Sequence, residues 1–453
     1  MVINNYLGIK QLPTRAQYYI RAFLLFQSLS SFLLLLSNTF FVLYSLDRIG
    51  FALTSVTLSF SFFVQLIFDY PSGSLGDWIG QRWVLILAYV SYGTAFFLTT
   101  SAETFSAFMI IAFFNGFGNA QNSGAIATWL DNNYQKVVGD SDPERKIYGF
   151  SRARVITTIR VASAFSFMVG GILATLVSRQ FVFGLQAVSV LIIIILVYIV
   201  VTDEKVDEST EDTLKINHSS NNYFKHLGGG VKFLLSSKAA FFFILGSALL
   251  FASFAIWGNL ILFPIYFGYS GSDGLASTLR TIVFVVGVPI SLYTAKLSQR
   301  FTTDKASHVT FLFVLLFYPL FIILTSIMPI TNELNLIGCG ISLIILNATI
   351  PTLFDLGATL RQRVMIDLVP SEHRNAVYSL IPTIISILGI FLLPIAGVLI
   401  ESYGLPAGIT AAFIVGVTSA IMITIGIFFY MNAAKEKLES MGIQVTVPAT
   451  TGP

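Results

Sequence analysis

Gly73-Ser74-Leu75-Gly76-Asp77-Trp78-Ile79-Gly80-Gln81-Arg82 joins two long apolar segments, residues 51–70 and 83–100. Each flank has the length of a helix that crosses a hydrocarbon core, about 20 residues. A water-soluble fold has little reason to connect two such stretches through glycines, an aspartate and an arginine. The decamer reads as a short charged link between two membrane spans. It sets the fold class as an all-α membrane protein.

Composition leads to the same class. The 453 residues are 55% hydrophobic and only 11% charged, with a mean hydropathy of +0.79. Soluble domains carry roughly 25% charged residues, so this chain cannot cover itself with a water-facing surface. Forty-two Phe and long Ile/Leu/Val runs favour helices. Barrel strands would alternate apolar and polar residues instead. The single cysteine, Cys339, excludes an intramolecular disulfide and a cysteine metal site. The polar N-terminus has no small-residue cleavage site, so the first apolar segment reads as a retained span. No Walker phosphate loop, HExxH, nucleophile elbow or His/Cys cluster is present, and neither a cofactor nor enzymatic chemistry is expected.

Twelve segments qualify as spans: 22–46, 51–70, 83–100, 105–130, 155–177, 181–201, 240–267, 274–295, 309–328, 334–356, 376–400 and 407–431. Most of the 26 Lys and Arg, among them Arg82, Lys136, Arg152, Arg361 and Lys435, then fall on the N-terminal side of the membrane. Positive residues mark the cytoplasmic side, so both termini are expected there. The basic excess behind the net charge of +3 is thereby topological, and no nucleic-acid partner is implied. Residues 202–238 form the one long charged connection. It divides an N-terminal half, 1–201, from a C-terminal half, 239–453.

A weak internal repeat supports the division. The run Asp142-Pro143-Glu144-Arg145-Lys146-Ile147-Tyr148-Gly149 follows the fourth span, and Val369-Pro370-Ser371-Glu372-His373-Arg374-Asn375-Ala376-Val377-Tyr378 follows the tenth. Gly170-Gly171-Ile172-Leu173 parallels Ala396-Gly397-Val398-Leu399, and Lys296-Leu297-Ser298-Gln299-Arg300 keeps the basic end of the opening decamer. Paired halves of this kind are one way in which transporters are built.

Polar residues inside spans are expensive and are either functional or paired. Asn115, Asn119 and Asn122 share one face of the fourth span; Gln27, Ser31 and Asn38 share a face of the first. The seventh offers Trp257 and Asn259, and the tenth Asn347 and Asp355. Substrate contact and interhelical hydrogen bonding both remain open for each. Arg160 and Arg280 lie inside spans and cannot be deprotonated. Each needs a carboxylate, a water-filled cavity or an anionic solute, and the candidate acids are Asp69, Asp131 and Asp355.

The pattern Gly-x-Leu-x-Asp-x-x-Gly-x-Arg at 73–82 resembles the signature loop between the second and third spans of the major facilitator superfamily. Asp69-Tyr70-Pro71-Ser72-Gly73, with Asp77 beyond it, and the stretch from Asn119 to Asp131 are similar to drug-efflux-like members. The resemblance implies two six-helix pseudo-symmetric halves, alternating access, and a central cavity lined by spans one, four, seven and ten. The charges at the cytoplasmic ends of spans two to four are expected to form a gate, an Asp77–Arg82–Asp131 network in which Gly73 and Gly80 let the backbones approach closely. The alternative is that they merely anchor the helix ends. The Gly-Pro-x-x-Gly-Gly element of proton exchangers is only half kept, as Ser166-Phe167-Met168-Val169-Gly170-Gly171, which leaves proton coupling open.

The expected protein is a monomeric secondary transporter of the plasma membrane that moves a small organic solute. Export of amphiphilic compounds is favoured. An organic-anion transporter using Arg160 and Arg280 is the alternative, and a non-transporting multi-span protein is the remote one.

Overall fold

The computed structural model describes residues 2–202 and 231–440, with the side chains of 2, 70–75, 77–78, 371–376, 379, 434 and 437–440 outside the description. Nearly all described residues are helical, with no strand among them. In chain order the helices are α1 (Val2–Leu7), α2 (Thr14–Leu34), α3 (Phe41–Ile79), α4 (Gln81–Thr99), α5 (Phe105–Val138), α6 (Lys146–Leu176) and α7 (Arg179–Val200). After the 202–238 connection, most of which lies outside the described residues, come α8 (Lys238–Ile256), α9 (Leu262–Ser270), α10 (Asp273–Leu297), α11 (Lys305–Ile327), α12 (Leu336–Thr349), α13 (Asp355–Leu368), α14 (Ser371–Tyr403) and α15 (Leu405–Ser440).

Among the described residues, ten helical segments are long and apolar enough to cross a membrane. The pairs α8–α9 and α12–α13 each count once, because a π-helical turn fuses them at Trp257–Ile261 and at Ile350–Phe354. Neither α2 nor α5 belongs to the ten. These two carry Gln17, Arg21 and Gln27, and Asn115, Asn119, Gln121 and Asn122, so polar residues lower the mean of the very helices on which the sequence places candidate site residues.

Helix starts follow local chemistry. Ser178, Ser237, Ser272 and Thr104 hydroxyls and the Asn335 side-chain carbonyl accept from backbone N–H groups in the first turns of α7, α8, α10, α5 and α12. Such caps satisfy donors that have no partner within the helix.

Three sequence expectations are corrected here. The first span is not continuous from 22 to 46. It breaks after Leu34, turns through residues 35–40, and resumes as the start of α3 up to Gly50, whose φ of 74° interrupts that helix. The opening decamer is mostly helix rather than loop, since α3 runs to Ile79 and turns into α4 through Gly80 alone, at φ 87°. Arg361 is no proximal surface charge. The tenth span extends to Leu368, so Arg361 is 5% exposed and donates to Thr310 Oγ1 at 2.8 Å.

Helices before residue 200 pack among themselves, as do those after 238. Contacts between the two groups concentrate on α3 with α14 and on α6 with α10. Small residues permit both approaches. A Cβ on Gly171 would collide with Ser277, and one on Gly397 would collide with Ser55. The sequence repeat thus places its glycines at equivalent junctions, as close helix crossings in membranes require.

Candidate functional site

Between the two groups lies a cavity of about 830 Å3. Three irregular backbone stretches meet its wall: the 35–40 turn with Leu35, Ser37 and Asn38, the first π turn with Gly258 and Asn259, and the second with Ile350. Non-helical backbone at membrane depth is tolerated where it is buried in protein or lines a cavity, and π turns cluster at functional sites. The fourth wall is α5, which presents Asn115, Asn119 and Asn122 at helical spacing.

The cavity gathers Gln27, Asn38, Asn115, Asn119, Asn122, Asn259 and Arg280 from the sequence candidates. Tyr92 donates its hydroxyl to Asn119 Oδ1 at 2.9 Å, while Asn122 Oδ1 is buried without a partner. Asn259 Nδ2 turns back to its own helix at Ala255 O, 2.8 Å away. Phe41, Phe254, Phe263 and Phe284 add aromatic surface.

Three candidates sit elsewhere. Trp257 is fully buried against Phe317 and Phe321, at ring separations of 4.8 and 4.5 Å. It lies two residues before Asn259, and residues so spaced point to opposite sides of a helix. Asp355 accepts from Ser291 Oγ at 2.6 Å, and Asn347 has a buried Oδ1 without a partner; neither lines the cavity. The sequence leads to the expectation that Asp69, Arg160 and Arg280 are buried charges, and two of them are not: Asp69 is exposed and accepts from Ser123 Oγ at 2.5 Å, and Arg160 is exposed on α6 and away from the cavity.

Arg280 differs from both. Its guanidinium lies over the rings of Phe167 and Phe263 at 3.6 and 4.7 Å. Nη1 donates to Asn38 Oδ1 at 2.7 Å and reaches Thr39 Oγ1 at 3.4 Å, so the break in the first span supplies its acceptors. It has no ion pair among the described residues.

At the proximal end, toward the chain's N-terminus, Arg82 and Asp131 do not pair with each other. Arg82 Nε donates to Val201 O at 2.6 Å and its guanidinium lies over Tyr198; Asp131 takes the Tyr148 hydroxyl. The carbonyl at the C-terminal end of α7 carries partial negative charge and competes well for the arginine. The Asp77 side chain and the surroundings of Gly73 lie outside the description. Gly76 approaches Gln81 so closely that a Cβ would stand 2.6 Å from its amide nitrogen.

The distal end holds a cluster that sequence reading missed. Arg179 Nε and Nη2 donate to Asp273 Oδ2 and Oδ1 at 2.7 and 2.9 Å, and Nη1 donates to Asp47 Oδ2 at 2.5 Å. This bidentate pair joins α7 to α10 across the two groups. Glu401 Oε2, from the end of α14, accepts from Ala52 N at 2.7 Å, just past the Gly50 break. A signal existed. Arginine at the first position of a helix opposes the helix dipole and calls for an acid nearby.

A Major Facilitator Superfamily model matches residues 19–358. No curated protein matches the chain in sequence. Among solved structures, the nucleoside transporter NupG is 14% identical with a TM-score of 0.67, covering 92% of this chain and 99% of its own. A bacterial homolog of the human lysosomal transporter Spinster, inward-facing and unoccupied, is 12% identical with a TM-score of 0.63 over 96% of this chain and 100% of its own. The peptide transporter POT in complex with sulfate is 13% identical with a TM-score of 0.61, over 92% and 94%. At these identities the likeness is one of fold.

Proposed function

Because this chain belongs to the Major Facilitator Superfamily, we propose that it is a secondary transporter that moves a small organic solute by alternating access. Residues 1–201 and 239–453 act as six-helix halves, joined by 202–238, which rock about the central cavity. Both termini face the cytoplasm, the side toward which Lys and Arg are biased. The protein sits in the plasma membrane as a monomer.

The observation that carries this reading is the cavity itself. It lies between two helix groups, is walled by the broken first span, both π turns and the asparagine face of α5, and has the size of small-molecule sites, about 300–1,000 Å3. Among the described residues, side-chain contacts between the groups run from the cavity's middle to the distal end. They include Thr281 Oγ1 to Ala164 O at 2.7 Å, Ser59 Oγ to Ile390 O at 2.6 Å, and the Arg179–Asp273 pair. These contacts support reading the conformation as the one closed to the outside. Gly73, Asp77, Gly80, Arg82 and Asp131 form the gate at the cytoplasmic end.

The mixed wall, with phenylalanines beside amides and tyrosine hydroxyls, suits a solute with both apolar and hydrogen-bonding parts, and export is the proposed direction. The solved relatives named for nucleosides and peptides fit that size class. If transport is proton-coupled, Asp355, whose carboxylate accepts from Ser291, is the proposed proton carrier.

Purified protein in proteoliposomes tests the reading through counterflow of radiolabelled solutes that raise its unfolding temperature. Saturable exchange is expected, with Asn119→Ala weakening it. Stabilising solutes that never exchange across the bilayer would mean that the cavity binds without transporting.

A further inference from the structure

We propose that the transported solute is a monoanion whose oxyanion group, a carboxylate in the simplest case, docks on Arg280. The proposal deepens the transport reading above and rests on it. Among the described residues that line the cavity Arg280 is the sole charge, with no Asp or Glu among them. The nearest acid on its own helix, Asp273, is already held in bidentate fashion by Arg179. The site therefore presents an uncompensated positive charge at membrane depth, where unpaired ions are costly and mark substrate pathways.

The guanidinium's hydrogen bonds show which part awaits a partner. Nη1 is occupied by Asn38 and Thr39. Nε is buried with no acceptor, and Nη2 donates to no described residue. These two nitrogens form one edge of the planar fork, the edge whose spacing matches the two oxygens of a carboxylate. Phenylalanine rings at 3.6 and 4.7 Å hold the plane in place and exclude water, which strengthens a charge-assisted pair. A neutral solute would leave the charge and the orphaned Nε–H uncompensated, and a cation would be repelled. Asn119, Asn122 and Tyr92 are left for the rest of the molecule.

The test compares solutes of one shape and three charges on the full chain in nanodiscs and proteoliposomes. The probes are indole-3-acetate, indole-3-acetamide and tryptamine, together with 2-naphthoate, 2-naphthamide and 2-naphthylmethylamine. The carboxylates are expected to stabilise and exchange, the amides and amines to do neither. Arg280→Gln should raise the half-saturating carboxylate concentration at least about tenfold, with Arg280→Lys between, as loss of a charged hydrogen-bond donor implies. Without solute, Arg280→Gln should unfold at the same temperature as the wild type or higher, because it removes an unpaired buried charge. Amides or amines that bind as well as the carboxylates, or carboxylate binding unchanged in Arg280→Gln, would overturn the proposal. So would a solute-free Arg280→Gln protein that unfolds at lower temperature, since Arg280 would then be a structural partner. Exchange of the amides or amines alone leaves transport standing and removes the anion inference. Exchange of none of the six removes both.

Discussion

Asp142 shows how one carboxylate can organise a helix start. It is 5% exposed, yet its oxygens accept from the backbone N–H of Tyr148 and Ile147 at 2.9 and 3.1 Å and from the Tyr134 hydroxyl at 2.9 Å. Burial alone would raise its carboxyl above the ordinary 3.8, but these donors outweigh it and the net shift is downward. A depressed folded-state value means stability fully present above the unfolded value and lost as pH falls through the folded one. Asp142→Asn should therefore cost about 1–3 kcal/mol at neutral pH. The gap between variant and wild type should shrink below about pH 4, where the carboxyl of the unfolded chain begins to take up its proton, and close as the folded one follows at lower pH. Thermal unfolding of both proteins across pH 3–7 checks it, and a gap independent of pH would assign the loss to packing. The sequence marks Asp142 only as part of a repeated loop. Its role as an acceptor depends on the chain doubling back from α5 to α6, which no local pattern states.

At the scale of elements, the polar stripes were the most legible part of the site. Asn115, Asn119 and Asn122 stand out because their surroundings are apolar and their spacing follows a single helical face. That rule holds only where the helix is regular. The π turns at Trp257–Ile261 and Ile350–Phe354 and the break at 35–40 shift the faces of the seventh, tenth and first spans, which explains why Trp257, Asn347 and Asp355 point away. The distal latch was illegible for another reason. Asp47, Arg179 and Asp273 sit at helix ends, where charges are ordinary, and only the tertiary fold brings them together. Arg179 is 15% exposed and Asp273 9%, and breaking such a pair by removing one partner costs about 3–5 kcal/mol. If the halves alternate as proposed, that penalty falls on the distally closed state alone, and Arg179→Ala should move the population toward the distally open one. Spin-label distances between the distal ends of α7 and α10 should lengthen in Arg179→Ala. The double reversal Arg179→Asp with Asp273→Arg should shorten them again in part. An unchanged distance distribution in the single variant would mean that helix packing, rather than the ion pair, holds this end shut.

For the whole molecule, the membrane class and the MFS membership follow from bulk quantities, hydropathy and the glycine-charged decamer, and these survive errors at single positions. What the sequence withholds is the relation between the two helix groups, because it depends on which side of the cavity is closed. The groups meet at two seams, α3 with α14 and α6 with α10, each threaded by a glycine too close to its neighbour to carry a side chain. If the halves rock, these seams must part at their distal ends once in every cycle. The α6–α10 seam offers a direct test, because Gly274 N donates to Thr175 Oγ1 at 2.8 Å, and a Cβ on Gly274 would stand 3.1 Å from that oxygen. A cysteine pair at 175 and 274, in a Cys339→Ala background, lies within reach of a disulfide, whose Cβ atoms sit about 3.5–4.5 Å apart. Oxidation should abolish exchange in proteoliposomes while leaving solute-induced stabilisation intact, and reductant should restore it. Binding survives because the cavity is complete in the closed state, and transport fails because the bridge forbids the other state. Undiminished exchange in the fully cross-linked protein would show that the distal seam stays shut throughout the cycle, and that the solute leaves by a route other than the parting of the two groups.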